Sequence, residues 1–175
     1  MPKMTDDDVR AFLDESGHLV RIGTVDVGGM PRVVPTWFVM VDGEVLFTPR
    51  SPAVFLANIR RDARIGLSID EDALPYRKVT VQGAARIVHE PGADDIWRDL
   101  YRTIAKRYVP AEAADAYVDA TIDQPRALVA VPVAGSVVTT WRMPLPGEDA
   151  TGIWHRRYYL DGTSMAAQAD AARLP

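Results

Sequence analysis

The stretch HLVRIGTVDV, residues 18–27, alternates apolar and polar positions with the period of two expected of a half-buried strand. Similar runs return in MPRVVPTWFVMV (30–41), EVLFT (44–48), ARIGLSID (63–70), RKVTVQGAARIVHE (77–90) and RALVAVPVAGSVVTTWRM (126–143). Gly28–Gly29 and Asp42–Gly43 separate the first three runs, and both dipeptides suit tight hairpin reversals. Pro35 interrupts the second run, which assigns it to a sheet edge or a bulge, while Gly83 marks a bend in the fifth and Gly135 breaks the sixth. Helical signals fall elsewhere. Thr5 caps a first helix with Asp6, Asp7 and Asp8 in its opening turn, Val9, Phe12 and Leu13 on one face and Gly17 at its end. Pro52 opens a short helix over 52–61. Ile96, Trp97, Leu100, Tyr101, Ile104 and Tyr108 recur at helical spacing, so 93–108 forms an amphipathic helix, and Pro110 precedes another that fades near Asp123.

Six strands, mostly hairpin-linked and flanked by peripheral helices, predict one mainly-β domain over residues 1–175. The sheet is antiparallel and Greek-key-like, and closing it into a barrel removes its edges. Beyond Pro144 the pattern dissolves into a proline- and glycine-rich extension that includes IWHRRYYL.

Composition narrows the function more than the fold. The chain has 175 residues, 47% hydrophobic and 25% charged, as expected of a globular domain with a real core. No apolar run approaches membrane-span length, and the start MPKMTDDDVR carries no signal core, so a cytoplasmic location is expected. Cysteine is absent, which excludes disulfides, thiolate metal sites and a cysteine nucleophile. A net charge of -4 argues against nucleic acid as the partner. Only Lys3, Lys78 and Lys106 are lysines among the 20 basic residues; arginine suits a planar, bidentate grip on phosphate or carboxylate, but GC-rich coding accounts for most of the excess. VDVGGMP matches no dinucleotide or phosphate-loop fingerprint, Ser51 lacks a nucleophile-elbow context, and His18, His89 and His155 are too scattered for a metal-ligand motif. No side-chain constellation announces a reaction, so if the chain is an enzyme a cofactor carries the chemistry.

The order of elements resembles the pyridoxamine 5′-phosphate oxidase-like split β-barrel, the flavin/deazaflavin oxidoreductase superfamily. The likeness rests on RIGTVDVGGMPRVVPTWFVMVDGEVLFT, NIRRDARIGLSID and KVTVQGAARIV. It implies an F420- or FMN-dependent oxidoreductase that moves a hydride between the cofactor and a small unsaturated substrate. Alternatives are a non-catalytic ligand-binding barrel and a member that has lost its cofactor altogether.

By this resemblance the cofactor ring lies along Val33, Val34, Pro35, Thr36 and Trp37, although Trp37 reads equally well as core packing. The phosphate falls to Thr48, Arg50, Ser51 and Asn58, whose hydroxyls and guanidinium make a reasonable cradle. Many relatives carry a lysine where this chain has Phe55, a departure that keeps the cofactor-free alternative open. Arg77 and Lys78 would reach the site from a second subunit, or simply be exposed charges at a strand start. The resemblance thus implies a homodimer with shared sites, and the apolar positions of the fifth and sixth runs, on both faces, suggest the same pairing. One branch of the family ends its last strand in tryptophan, so Trp141 is a candidate for covering the substrate, with Tyr76 and His155 as candidate proton donors. Arg60, Arg61 and Arg64 read as a structural or solvated face.

Overall fold

The computed structural model describes residues 3–148 and 161–171. Helix α1 (Asp6–Asp14) begins with a full capping box: the Asp8 amide donates to Thr5 Oγ1 at 3.1 Å and the Thr5 amide to Asp8 Oδ2 at 2.9 Å. Four strands follow, β1 (Val20–Val25), β2 (Pro31–Thr36), β3 (Val39–Val41) and β4 (Glu44–Phe47). Asp42 and Gly43 both take positive φ, 50° and 79°, in the two-residue turn between β3 and β4. Helix α2 (Val54–Arg61) leads to β5 (Arg64–Asp70), β6 (Lys78–Ala84) and β7 (Arg86–His89). A 3-10 turn at Asp94–Ile96 precedes α3 (Arg98–Lys106) and α4 (Ala111–Ala120). Strands β8 (Leu128–Pro132) and β9 (Val137–Trp141) come next, and α5 (Ser164–Ala171) lies in the extension.

The nine strands among the described residues form two antiparallel sheets, ordered β2-β1-β5-β6-β9 and β3-β4-β8-β7. This is the mainly antiparallel split barrel that the sequence predicts, with the second and fifth runs divided where the sequence did not divide them and the sixth broken at Gly135 as expected. The second, fifth and sixth runs each break into two strands, and each break carries the chain from one sheet to the other. The second breaks at Trp37–Phe38, not at Pro35, which sits inside the edge strand β2 opposite Arg21. An edge tolerates it because one side of the strand has no ladder to lose. The fifth breaks at Ala85, just past Gly83, and the sixth around Gly135. The helix expected over 93–108 is likewise divided, and α2 starts two residues beyond Pro52.

Two apolar clusters hold the molecule. Between the sheets pack Phe12, Ile22, Phe38, Phe47, Leu56, Ile69, Val79, Val81, Val129 and Val131, all buried. On the opposite face of the smaller sheet, Val39, Leu46, Leu128 and Ala130 are covered by Trp97, Tyr101, Ile104, Ala114 and Val118 of the helical region. Strand β8 is thus buried on both faces within a single chain, and Val79, Val81 and Ala85 belong to the core. The apolar pattern that suggested a second subunit at these positions is satisfied internally. Arg107 donates to the carbonyls of Leu13, Asp14 and Glu15 at 2.9, 3.1 and 2.7 Å, closing the C-terminus of α1 and fixing α3 to it. No helix among the described residues is long and apolar enough to cross a membrane.

Candidate functional site

The corner after β4 faces the β2–β3 junction, and α3 and α4 close the far side. Between them lies a cavity of about 420 Å³. Pro35, Thr36 and Trp37 form one wall, Thr48, Pro49 and Arg50 the corner, Ala53 and Phe55 the start of α2, and Tyr101, Tyr117 and Arg126 the helical side. Its size suits a small organic ligand.

Among the described residues no carboxylate forms a salt bridge with the two guanidinium groups that line this cavity, although Asp94 Oδ1 accepts from the Arg126 backbone amide at 2.6 Å. Arg126 is only 6% exposed, yet no carboxylate pairs with its guanidinium among the described residues. It donates instead to the Thr48 carbonyl at 3.2 Å and to the Tyr117 hydroxyl at 3.2 Å, and lies 4.5 Å over the ring of Tyr101. Its Nε and the hydroxyl of Tyr101 are buried without a hydrogen-bond partner. Arg50, bridged to Arg126 through the backbone, donates to the same Tyr117 hydroxyl at 3.4 Å. A buried guanidinium without a counter-charge is costly, so the arrangement is built to gain from an anion. The tyrosines respond to this field. Burial pushes Tyr101 well above the ordinary phenol range. For Tyr117 burial works in the same direction, but the neighbouring Tyr101 hydroxyl, Arg50 and the charge of Arg126 outweigh it and the net shift is downward. Trp37 stacks on Tyr108 with centroids 5.1 Å apart and meets Tyr117 edge-on at 5.6 Å. It is therefore both packed and pocket-lining.

Of the residues nominated from sequence, Pro35, Thr36, Trp37, Thr48 and Arg50 come together here. The others lie elsewhere. Val33 is on the outer face of the larger sheet, and Val34 faces the other way, opposite Ile22. Ser51 donates its amide to the Pro125 carbonyl at 2.8 Å and does not line the cavity. Asn58 is buried and turned away: its amide nitrogen donates to Thr24 Oγ1 at 3.1 Å and Asp26 Oδ1 at 2.7 Å, while its oxygen accepts from Arg61 at 3.2 Å. The side chain that the resemblance assigns to a phosphate instead ties α2 to β1 and its turn. Arg77 is bound bidentately to Glu15 at 2.7 and 2.8 Å and also to Glu71 at 2.6 Å, all in its own chain. Glu15, His18 and Glu71 do approach one another within 4.8 Å, a cluster the sequence spacing hides, but Arg77 already supplies its positive charge. Lys78 sits 5.5 Å from the ring of Trp141, across the β6–β9 ladder from it, and Tyr76 is exposed at a turn with φ of 54°. His155 and the Trp154–Tyr159 cluster lie outside the described residues. Arg60 pairs with Glu90, Arg61 with the Val25 carbonyl and Arg64 with Asp62, a structural face as expected.

Arg126, Tyr117 and Tyr101 escaped the sequence reading. A faint signal existed for two of them: Arg126 is the one charge at the head of an otherwise apolar strand, and Tyr117 the lone aromatic in an alanine-rich helix.

Two antiparallel sheets split around a core, with a cation-lined pocket at the junction, define a split barrel. The family model for pyridoxamine 5′-phosphate oxidase matches residues 5–135, and the chain belongs to that family. Solved structures agree on the fold. A conserved hypothetical protein from Mycobacterium tuberculosis is 20% identical, with a TM-score of 0.63 over 91% of this chain and 95% of that one. An F420 reductase is 20% identical, with a TM-score of 0.53 over 73% of this chain and 94% of its own. The heme storage protein HutZ from Vibrio cholerae is 17% identical, with a TM-score of 0.57 over 77% and 94%. A search of curated proteins found no match.

Proposed function

We propose that this chain is a flavin- or deazaflavin-dependent oxidoreductase, a homodimer acting on a small unsaturated organic substrate with F420 or FMN as cofactor. The observation that carries the reading is the pair of arginines in the cavity, one of them buried and neither in a salt bridge among the described residues. Arg126 lines the cavity and its Nε has no hydrogen-bond partner, which suits an anionic ligand. Arg50, Arg126, Tyr117 and Thr48 would hold its phosphate, and Pro35, Thr36 and Trp37 would border its ring system. When bound, such a cofactor supplies hydride donor and acceptor chemistry. The chain supplies position and shielding: Trp37 and Phe55 keep water from the apolar part of the cavity, and the guanidinium groups fix the charged end. A second reading, binding without turnover, draws support from the lining itself, which includes no carboxylate, histidine or lysine.

The test is a titration of the purified protein with FMN, F420 and hemin, followed by cofactor fluorescence or absorbance, then reduction of an added enone. Binding of F420 or FMN with stereospecific reduction is the expected outcome. Tight binding without turnover of any acceptor leaves the second reading, and hemin as the sole ligand overturns the flavin assignment.

A further inference from the structure

A second cavity, of about 560 Å³, lies between α1, the β3–β4 turn and the chain just after β8, and it shares no lining residue with the first. Its floor is apolar: Leu13 is buried, and Val9, Met40 and Val133 are half-buried against the inter-sheet core. Its acids are Asp6 and Asp14 on α1 and Asp42 on the turn, all three exposed. Among the described residues none of these carboxylates accepts a hydrogen bond or forms an ion pair, whereas their neighbours Asp7, Glu15 and Glu44 are each held by an arginine. Arg10, the one base in the lining, is turned to Asp7, and Arg107 meets the backbone carbonyl of Asp14 at 3.1 Å, not its carboxylate. The groove therefore carries negative charge that the described chain leaves unbalanced.

We propose that this groove binds a long aliphatic diamine, with its ammonium heads at the two ends of α1 and its methylene chain on the apolar floor. Spacing is the first argument. Asp6 and Asp14 stand at opposite ends of the helix, separated by about 12 Å of its axis. Val9 and Leu13 fill the interval between them, so the wall runs charge, apolar surface, charge. That is the pattern of a dication whose charges sit at the two ends of a hydrocarbon chain. Charge is the second argument. Three free carboxylates face the groove, Asp42 from the opposite wall, and its one guanidinium is already engaged. Head-group chemistry is the third. Carboxylates only accept hydrogen bonds, and a primary ammonium offers three donors. No aromatic ring lines the groove, so a quaternary ammonium gains neither a hydrogen bond nor a cation–π face. The volume also falls in the range of small-ligand sites. The two ends are unequal, because the helix dipole favours a cation beside Asp14 and opposes one beside Asp6. Asp14 therefore holds its head group more strongly.

Calorimetric titration of the full chain at low ionic strength with octane-1,8-diamine, octylamine, butane-1,4-diamine and octane-1,8-diol tests this. The long diamine is expected to bind about fivefold tighter than octylamine, the gain from one further exposed ion pair. The short diamine, which cannot span the interval, and the uncharged diol should bind more weakly than either. Added salt should erase the advantage of the long diamine over octylamine. Asp14→Asn should bring the long diamine down to the affinity of octylamine, and Asp6→Asn should weaken it less. Both positions are exposed and hold no side-chain partner among the described residues, so the fold tolerates the changes. Glu112→Gln, an exposed acid on α4, should leave the affinity unchanged. Octylamine binding as tightly as the long diamine, or a diamine affinity untouched by Asp14→Asn, overturns the proposal. So does a lysine-flanked apolar peptide that binds here while no diamine does, since the groove would then dock a protein. None of these outcomes depends on whether the first cavity takes a flavin or a deazaflavin.

Discussion

Asn58 is 2% exposed, and both ends of its amide are hydrogen-bonded within the chain. Asn58→Ala should leave Thr24 and Asp26 short of a donor and cost about 1–3 kcal/mol in urea unfolding, the range for stranding buried polar groups. Phosphate-ester affinity should not change; a large loss of affinity at full stability would return Asn58 to the site. Its partner Asp26 is held to about 2, against an ordinary 3.8, first by the Arg32 guanidinium and then by Asn58. Since the folded carboxyl resists protonation, its stabilisation is present above pH 3.8 and is lost as pH falls towards 2. Asp26→Asn should therefore flatten the acid limb of a stability–pH profile relative to wild type, and parallel profiles would exclude this role. At this scale the sequence was half legible. Thr48, Arg50 and Trp37 are near one another along the local chain path, so their corner could be read from a strand end and a turn. Arg126 and Tyr117 gain meaning only when β8 and α4 return beside that corner, which no local pattern encodes.

Strands were easier to find than to divide. Alternation reports that one side of a segment is buried, but it continues unbroken when the chain turns from one sheet into the next and both inner faces share a core. Hence β6 and β7 read as one run, with Gly83 the visible mark of the corner. The structure supplies the reason for that glycine. A Cβ at Gly83 would lie 2.3 Å from Ser136 Oγ, which itself donates to the Pro132 carbonyl at 2.6 Å. Gly83→Ala must displace this hydroxyl where β8 passes into β9, and should destabilise the protein by about 1–3 kcal/mol. Combining it with Ser136→Gly should recover part of the loss, measured as a non-additive double-mutant cycle. Additive effects would show that the clash is not the cause.

At the scale of the whole molecule, an apolar surface on the outer face of the larger sheet is uncovered among the described residues. One cross-strand row runs Val33, Gly23, Gly66, Gln82, Val137, with both valines about two-thirds exposed, 66% and 65%, at the two edges. The glycines make the middle of this row flat. The proposed homodimer would pack here rather than through β8, whose apolar faces are already covered. Light scattering across dilution should give a dimer at micromolar concentration, and Val33→Glu with Val137→Glu should give a folded monomer. A wild-type monomer would sink the pairing, and a dimer untouched by both charges would place it on another face.

The pocket is divided between two parts of the chain that do not depend on each other in the same way. Strands β7 and β8 are hydrogen-bonded neighbours, yet the chain between them makes a long excursion through α3 and α4. That excursion contributes Tyr101 and Tyr117 and returns with Arg126, while the barrel contributes Trp37, Thr48 and Arg50. The ladder beneath would keep its register whatever helical pair spans it, provided Val39, Leu46, Leu128 and Ala130 stay covered. Such a layout makes the helical pair an exchangeable cartridge: evolution, or a designer grafting a related hairpin, can rewrite the lining of this pocket while the barrel beneath it is inherited unchanged.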